Sequence, residues 1–182
     1  NKRNYLYLDR NEKNQELSKI IKKKLFNSLS NSNLGFYPDF NKFYKKLSTW
    51  SKVNEQEIFL TEGVSGAIKN LIEVYCDKTS NIIVPEPTFA MYDVYAKMFN
   101  IRKKLYKYNS NYILNYKEIL RLIDKNTSII FLPCPNIPVD TEIDKKILEQ
   151  ILLVAKKNHI IVALDEVYFL FTKFNGLKYF QK

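Results

Sequence analysis

The sequence is poor in the residues from which metal sites and disulfide frameworks are built. Its two cysteines, Cys76 and Cys134, are too few for a disulfide scaffold and stand at no metal-ligand spacing. One histidine, His159, excludes a multi-histidine metal site, and a Ser-His-Asp triad would have to use that residue. It falls between a helix end and a strand, where a partner for the helix dipole is the expected role rather than a catalyst. Long apolar runs are missing too. The longest candidate, Ile160 to Phe171, is broken by Asp165 and Glu166 and falls short of the roughly 18 residues a membrane span requires. Residues Asn1 to Arg10 lack the apolar core of a signal peptide. No methionine opens the chain, so it is expected to be a portion of a longer protein. Together these absences predict a reduced, cytoplasmic setting, with no metal and no membrane.

What remains is a globular composition. The 182 residues are 46% hydrophobic and 26% charged, enough for one ordinary domain with a sizeable core. The net charge of +10 invites a nucleic-acid reading. The lysines, however, are spread along the whole length among Asn, Ile and Tyr, a mixture typical of A/T-rich codon usage. Lys22-Lys23-Lys24 is the one run, on a helix whose apolar face lies elsewhere. A concentrated basic face is not evident, and no nucleic-acid partner is expected.

Hydrophobic periodicity changes type repeatedly along the chain. Helical stripes are predicted over Gln15 to Leu29, Asp39 to Trp50, after Gly63, Thr88 to Phe99, Tyr116 to Ile123 and Asp144 to Lys157. Strands are predicted at Glu57 to Thr61, Asn81 to Val84, Ile101 to Tyr108 (an edge strand), Thr127 to Leu132 and Ile160 to Leu164. Near-continuous apolar strands alternating with helices predict an α/β fold with a mainly parallel sheet covered on both faces. In such sheets ligands bind beyond the carboxyl ends of the strands.

Four clusters fall at those ends. In Thr61-Glu62-Gly63-Val64-Ser65-Gly66 a strand end meets a helix start, which is either an anion site or an ordinary turn. Pro85-Glu86-Pro87-Thr88-Phe89 is a stiff exit that delivers Phe89 to the ligand edge or into the core. Pro133-Cys134-Pro135-Asn136-Ile137-Pro138 is a rigid loop whose three prolines suggest a shape that must be held. Asp165-Glu166-Val167-Tyr168 ends the last apolar strand. A carboxylate there needs a cationic or hydrogen-bonding partner, for which a protonated heteroaromatic nitrogen, a helix cap or a structural salt bridge would each serve.

In this order and at these separations the clusters resemble the fold-type I aminotransferases that use pyridoxal 5′-phosphate, most of all the histidinol-phosphate aminotransferase branch. The likeness runs from Tyr7-Leu8-Asp9-Arg10-Asn11-Glu12 and Gly35-Phe36-Tyr37-Pro38-Asp39 through Leu60-Thr61-Glu62-Gly63 and Pro87-Thr88-Phe89-Ala90-Met91-Tyr92. It continues through Pro135-Asn136-Ile137-Pro138 to Leu164-Asp165-Glu166-Val167-Tyr168. The resemblance implies a three-layer α/β/α large domain, incomplete here, over 36–182, with 1–35 belonging to the small domain and dimer arm. It implies that Gly63, Val64 and Ser65 hold the cofactor phosphate and that Phe89 stacks on the pyridine ring. Asp165 would pair with the ring nitrogen, and Tyr168 would hydrogen-bond the phenolic oxygen. Tyr37 would reach the cofactor of a neighbouring subunit in a homodimer, while Asn11 and Tyr37 would border the substrate.

Two positions depart from that pattern. Where the family's loop carries a second asparagine that contacts the phenolic oxygen, this sequence has Ile137, which cannot donate a hydrogen bond; Asn136 is the nearest substitute. The Schiff-base lysine is expected beyond Lys182, because Lys173, Lys178 and Lys182 come too early and lack its serine-containing context. By this resemblance the segment alone would not transaminate. The implied activity of the parent protein is amino transfer between an amino acid, such as histidinol phosphate or a similar anionic amine, and a 2-oxo acid. A catalytically inactive interaction module of the same fold, or a decarboxylase of amino acid phosphates, are the alternatives.

Overall fold

The computed structural model describes residues 12, 13, 15–29 and 34–180, so Asn11 lies outside the described residues. The chain divides into two compact units, Asn1–Ile58 and Phe59–Lys182.

In the first unit, α1 (Lys19–Ser28) and α2 (Asn41–Ser51) are the main elements. The periodicity of α1 extends back to Gln15, but the helix starts at Lys19 because Ser18 caps it, its side chain accepting from the Ile21 amide at 3.3 Å. Neither helix buries a residue, and the apolar stripe of α1, including Ile20, Leu25 and Phe26, is exposed. The strand predicted over Glu57 to Thr61 does not form. Asn54 and Glu57 make a reciprocal capping box that bends Glu55–Glu57 into a 3₁₀ turn. Among the described residues no strand pairs with the segment that follows, and an isolated extended segment has no ladder to hold it.

The second unit alternates strand and helix. Helix α3 (Gly63–Tyr75) leads to β1 (Asn81–Glu86), α4 (Met91–Met98), β2 (Arg102–Lys107), α5 (Tyr116–Leu122), β3 (Thr127–Pro133), α6 (Lys145–Lys157) and β4 (Ile161–Asp165). The four strands are parallel in the order β2-β1-β3-β4, with β2 at an edge as its alternating pattern predicts. Successive side chains of a strand point to opposite faces, so each apolar strand supplies two cores. Ile83, Ile130 and Leu132 pack with Ile119 of α5 and with Leu148 and Ile151 of α6. On the other face Ile82, Val84, Ile129 and Phe131 pack with Ile68 and Ile72 of α3 and with Tyr92 and Ala96 of α4. The result is a three-layer α/β/α arrangement.

The strand order fixes where a ligand can go. From β1 the chain moves to β2 on one side, then returns past β1 to β3 and β4 on the other. At the carboxyl ends of β1 and β3 the connections therefore diverge, leaving a crevice between their exit loops. His159 lies at the opposite end of the strands, exposed and in a left-handed backbone conformation between α6 and β4.

Candidate functional site

Three of the sequence clusters meet through hydrogen bonds at the crevice. The peptide bonds Glu86–Pro87, Cys134–Pro135 and Ile137–Pro138 are cis and shape the two loops that flank it. Asn136, fully buried, straps these loops together. Its Oδ1 accepts from the Thr88 hydroxyl at 2.8 Å, and its Nδ2 donates to the Pro87 carbonyl at 2.9 Å. This strap explains why α4 begins at Met91 although its periodicity starts at Thr88. Ile137, next along the loop, is exposed.

Asp165 ends β4 half-buried, and its backbone carbonyl accepts from the Cys134 amide at 2.9 Å, fixing it against the proline loop. Its carboxylate is held from two directions. Tyr92 Oη donates to Oδ2 at 2.6 Å, and the Val167 amide donates to Oδ1 at 3.2 Å. Burial, reinforced by the Asp165 charge, pushes the Tyr92 phenol far above its ordinary pKa, so it stays protonated and remains a donor. The Tyr92 ring meets Phe89 edge-on at 6.4 Å between centroids and lies against Phe131 at 5.0 Å. Phe89 itself is 43% exposed, leaving much of its surface open at the ligand edge rather than committed to the core. A cleft of about 360 Å³ opens beside it, bounded by Pro87, Thr88, Tyr92, Asp93 and Lys103.

The next residue, Glu166, is half-buried and accepts from the Gly176 amide at 2.8 Å. Burial raises its pKa; the Gly176 bond opposes that, and the neighbouring Asp165 charge adds to it. Tyr168 is half-buried one turn further on, its ring edge-on to Phe171.

At the start of α3, Gly63 has φ +68, a conformation that glycine adopts without the steric penalty of a Cβ. No side chain caps this helix among the described residues. The N–H groups of its first turn are thus presented together with the positive end of the helix dipole. Val64 and Ser65, in that turn, are half-buried. Helix α3 packs on α4, the helix that carries Tyr92. Tyr37, in the first unit, is wholly exposed.

Three polar contributors to this cluster carry no role in the sequence reading: Thr88 and Tyr92, which stand inside a quoted motif, and Thr141, whose carbonyl accepts from the Asn136 backbone amide at 3.2 Å. For Tyr92 a signal exists in the sequence, since it stands three residues after Phe89 and so shares its side of the chain once α4 begins. Another hollow, about 540 Å³ between α6, β4 and Tyr179–Phe180, lies away from these strand-end loops.

A family model for aminotransferase class I and II matches residues 3–175. The chain belongs to the aminotransferase class I and II family. Among curated relatives of this chain, a histidinol-phosphate aminotransferase of Flavobacterium psychrophilum is 32% identical over 95% of the chain and 45% of the relative. The histidinol-phosphate aminotransferase of Clostridium acetobutylicum superposes with a TM-score of 0.64 at 25% identity, covering 74% of this chain and 40% of that one. A pyridoxal-phosphate-bound C–S lyase from Staphylococcus hominis gives a TM-score of 0.64 at 15% identity, over 80% of this chain and 39% of the other, and shows the shared fold. The chain spans about half the length of the curated relatives it matches.

Proposed function

We propose that this chain forms the cofactor-binding part of a pyridoxal-5′-phosphate-dependent aminotransferase. The observation that carries the reading is the Asp165 carboxylate, braced by two donors at a strand end and linked through Tyr92 to the open aromatic face of Phe89. A flat, cationic heteroaromatic ring with a phosphate tail fits these groups. Asp165 would face the ring nitrogen and Phe89 would cover one ring face. The uncapped first turn of α3, entered through Gly63 with Val64 and Ser65, would hold the phosphate dianion. Tyr168 would reach the ring's phenolic oxygen. Asn136 is occupied by Thr88 and Pro87, so its contribution would be to set the shape of the proline loop. When bound, the cofactor supplies an electron-withdrawing ring that eases loss of a proton from the amino acid.

The same reading assigns 1–35 to the small domain and dimer arm and 36–182 to an incomplete large domain. It takes the protein to be a cytoplasmic homodimer. Support comes from the uncovered apolar stripe of α1 and from the full exposure of Tyr37, which would be offered to a second subunit. Asn11 and Tyr37 would border the substrate, an amino acid or anionic amine of the histidinol-phosphate kind, with a 2-oxo acid as acceptor. The lysine that links covalently to the cofactor would come from outside these 182 residues.

The test is a titration with pyridoxal 5′-phosphate followed by borohydride. The 182-residue chain should bind the cofactor reversibly, lose that binding on Asp165→Ala, and keep no label after reduction. The complete protein should be labelled covalently and turn over an amino donor with a 2-oxo acid. A protein without affinity for the cofactor would refute the proposal, and label on Lys173 or Lys178 would refute its assignment of the lysine. Ile137, exposed where the family has a donor, favours one competing reading, a non-catalytic module that dimerises without cofactor.

A further inference from the structure

We infer that Tyr92 is a positioning residue that sets the orientation of Asp165 and of Phe89 together, and through them the protonation of the ring nitrogen. The inference rests on the cofactor reading above and goes beyond it, because that reading gives Tyr92 no contact with the ring, whereas its side chain meets both residues assigned to it.

The geometry is specific to this side chain. Tyr92 lies in the first turn of α4, 1% exposed, wedged between Phe131 of β3 and Phe89 of the preceding loop. Its ring is thereby held from two sides, and its hydroxyl reaches across the sheet end to Asp165 Oδ2 at 2.6 Å. The other carboxylate oxygen takes the Val167 amide. With one donor on each oxygen, rotation of the carboxylate about its Cβ–Cγ bond breaks at least one hydrogen bond, so its plane is fixed before any ligand arrives. A charge-assisted bond of this length is among the stronger kinds, and it holds the carboxylate in this one orientation. A carboxylate held in this orientation would keep a proton on a ring nitrogen that faces it. Removing the hydroxyl leaves only the Val167 amide on the carboxylate and frees its rotation, which takes it out of line with the ring nitrogen and weakens its hold on the proton there. The edge-on contact with Phe89 ties the plate over the ring to the same anchor.

A role limited to packing predicts something different, since Tyr92→Phe preserves the ring and its contacts with Phe89 and Phe131. The experiment compares wild type, Tyr92→Phe and Asp165→Asn, each loaded with pyridoxal 5′-phosphate carrying nitrogen-15 in the ring. Dissociation constants and the ring nitrogen's chemical shift are measured at one pH, on samples whose thermal melts show that they are folded. Tyr92→Phe should bind about tenfold more weakly, the loss expected for one buried hydrogen bond. Its nitrogen resonance should move from the wild-type position toward that of unprotonated pyridine. Asp165→Asn should show the larger change in both. If Tyr92→Phe matches wild type in affinity and resonance while Asp165→Asn does not, the positioning role is overturned and the cofactor reading stands. If Asp165→Asn also matches wild type, or wild type does not bind, the cofactor reading itself fails and takes this inference with it.

Discussion

Gly63 and Asn136 shape the site by different means, one through its backbone and the other through its amide. A Cβ on Gly63 would meet nothing within 4 Å, so the cost of Gly63→Ala is conformational: about 1 kcal/mol for an alanine at φ +68. Urea denaturation should show that loss with an unchanged slope, and phosphate-bearing ligands should bind more weakly as the turn relaxes. Asn136→Leu is more severe, because it strands the Thr88 hydroxyl and the Pro87 carbonyl at a part-buried position. A loss of about 3 kcal/mol is expected from two unmade hydrogen bonds, read from the same urea curves. These two residues also mark how far a motif can be read. The backbone demand at Gly63 is visible in the sequence, because a glycine between a predicted strand and helix has few other uses. Asn136's role is not, because whether an amide faces a ligand or a neighbouring loop depends on partners 48 and 49 residues away. Tyr92 is hidden for the same reason: its hydroxyl partner is 73 residues distant, while its local spacing is that of any helix face.

At the level of elements, the starts of α1, α5 and α6 follow side-chain caps. Asp144 accepts from the amides of Lys146 at 2.8 Å and Ile147 at 3.2 Å, and α6 begins just after it, where the sequence pattern places it. Asp144→Ala should lower stability by about 1 kcal/mol in urea denaturation and leave ligand binding unchanged, since α6 starts away from Asp165 and Phe89 in sequence and lies on the face opposite α4. Strands inside the sheet were legible because their partners belong to the same alternating pattern: Asn81–Glu86, Thr127–Pro133 and Ile161–Asp165 are near-continuous apolar runs flanked by helices. Glu57 to Thr61 carries a comparable apolar signal and fails as a strand. Local capping by Asn54 competes for its first residues, and a strand exists only when something pairs with it. Periodicity reports which face of a segment is apolar; it does not report whether a neighbour is present.

For the whole molecule, one acid-sensitive ion cluster sits at the end of the sheet opposite the site. There Asp124 accepts from Lys104 at 2.6 Å and from the buried Asn81 amide at 2.8 Å, with Arg102 at 3.3 Å. Lys104, followed by Asn81, holds its carboxyl well below the usual carboxylate range. A carboxyl depressed in the folded state contributes stability at pH values above its unfolded pKa of about 4, and loses that contribution as pH falls below it. The difference in urea midpoint between wild type and Asp124→Asn should therefore be full at neutral pH and shrink in acid. Glu166, raised by burial, works in the opposite sense: its neutral form is favoured on folding, so its share of stability declines as pH rises through its folded pKa. The topology that separates these two ends is also what makes a functional site legible at all. Four parallel strands bring the loops after β1, β3 and β4 to one edge, whatever their distance along the chain.

The most direct measurement is a crystal structure of the protein with pyridoxal 5′-phosphate added. The account predicts the ring nitrogen at hydrogen-bond distance, about 3 Å, from the Asp165 carboxylate, with the phosphate against the backbone amides of Val64 and Ser65. Cofactor seated elsewhere, or an Asp165 side chain turned away from it with Tyr92 still attached, would contradict the account.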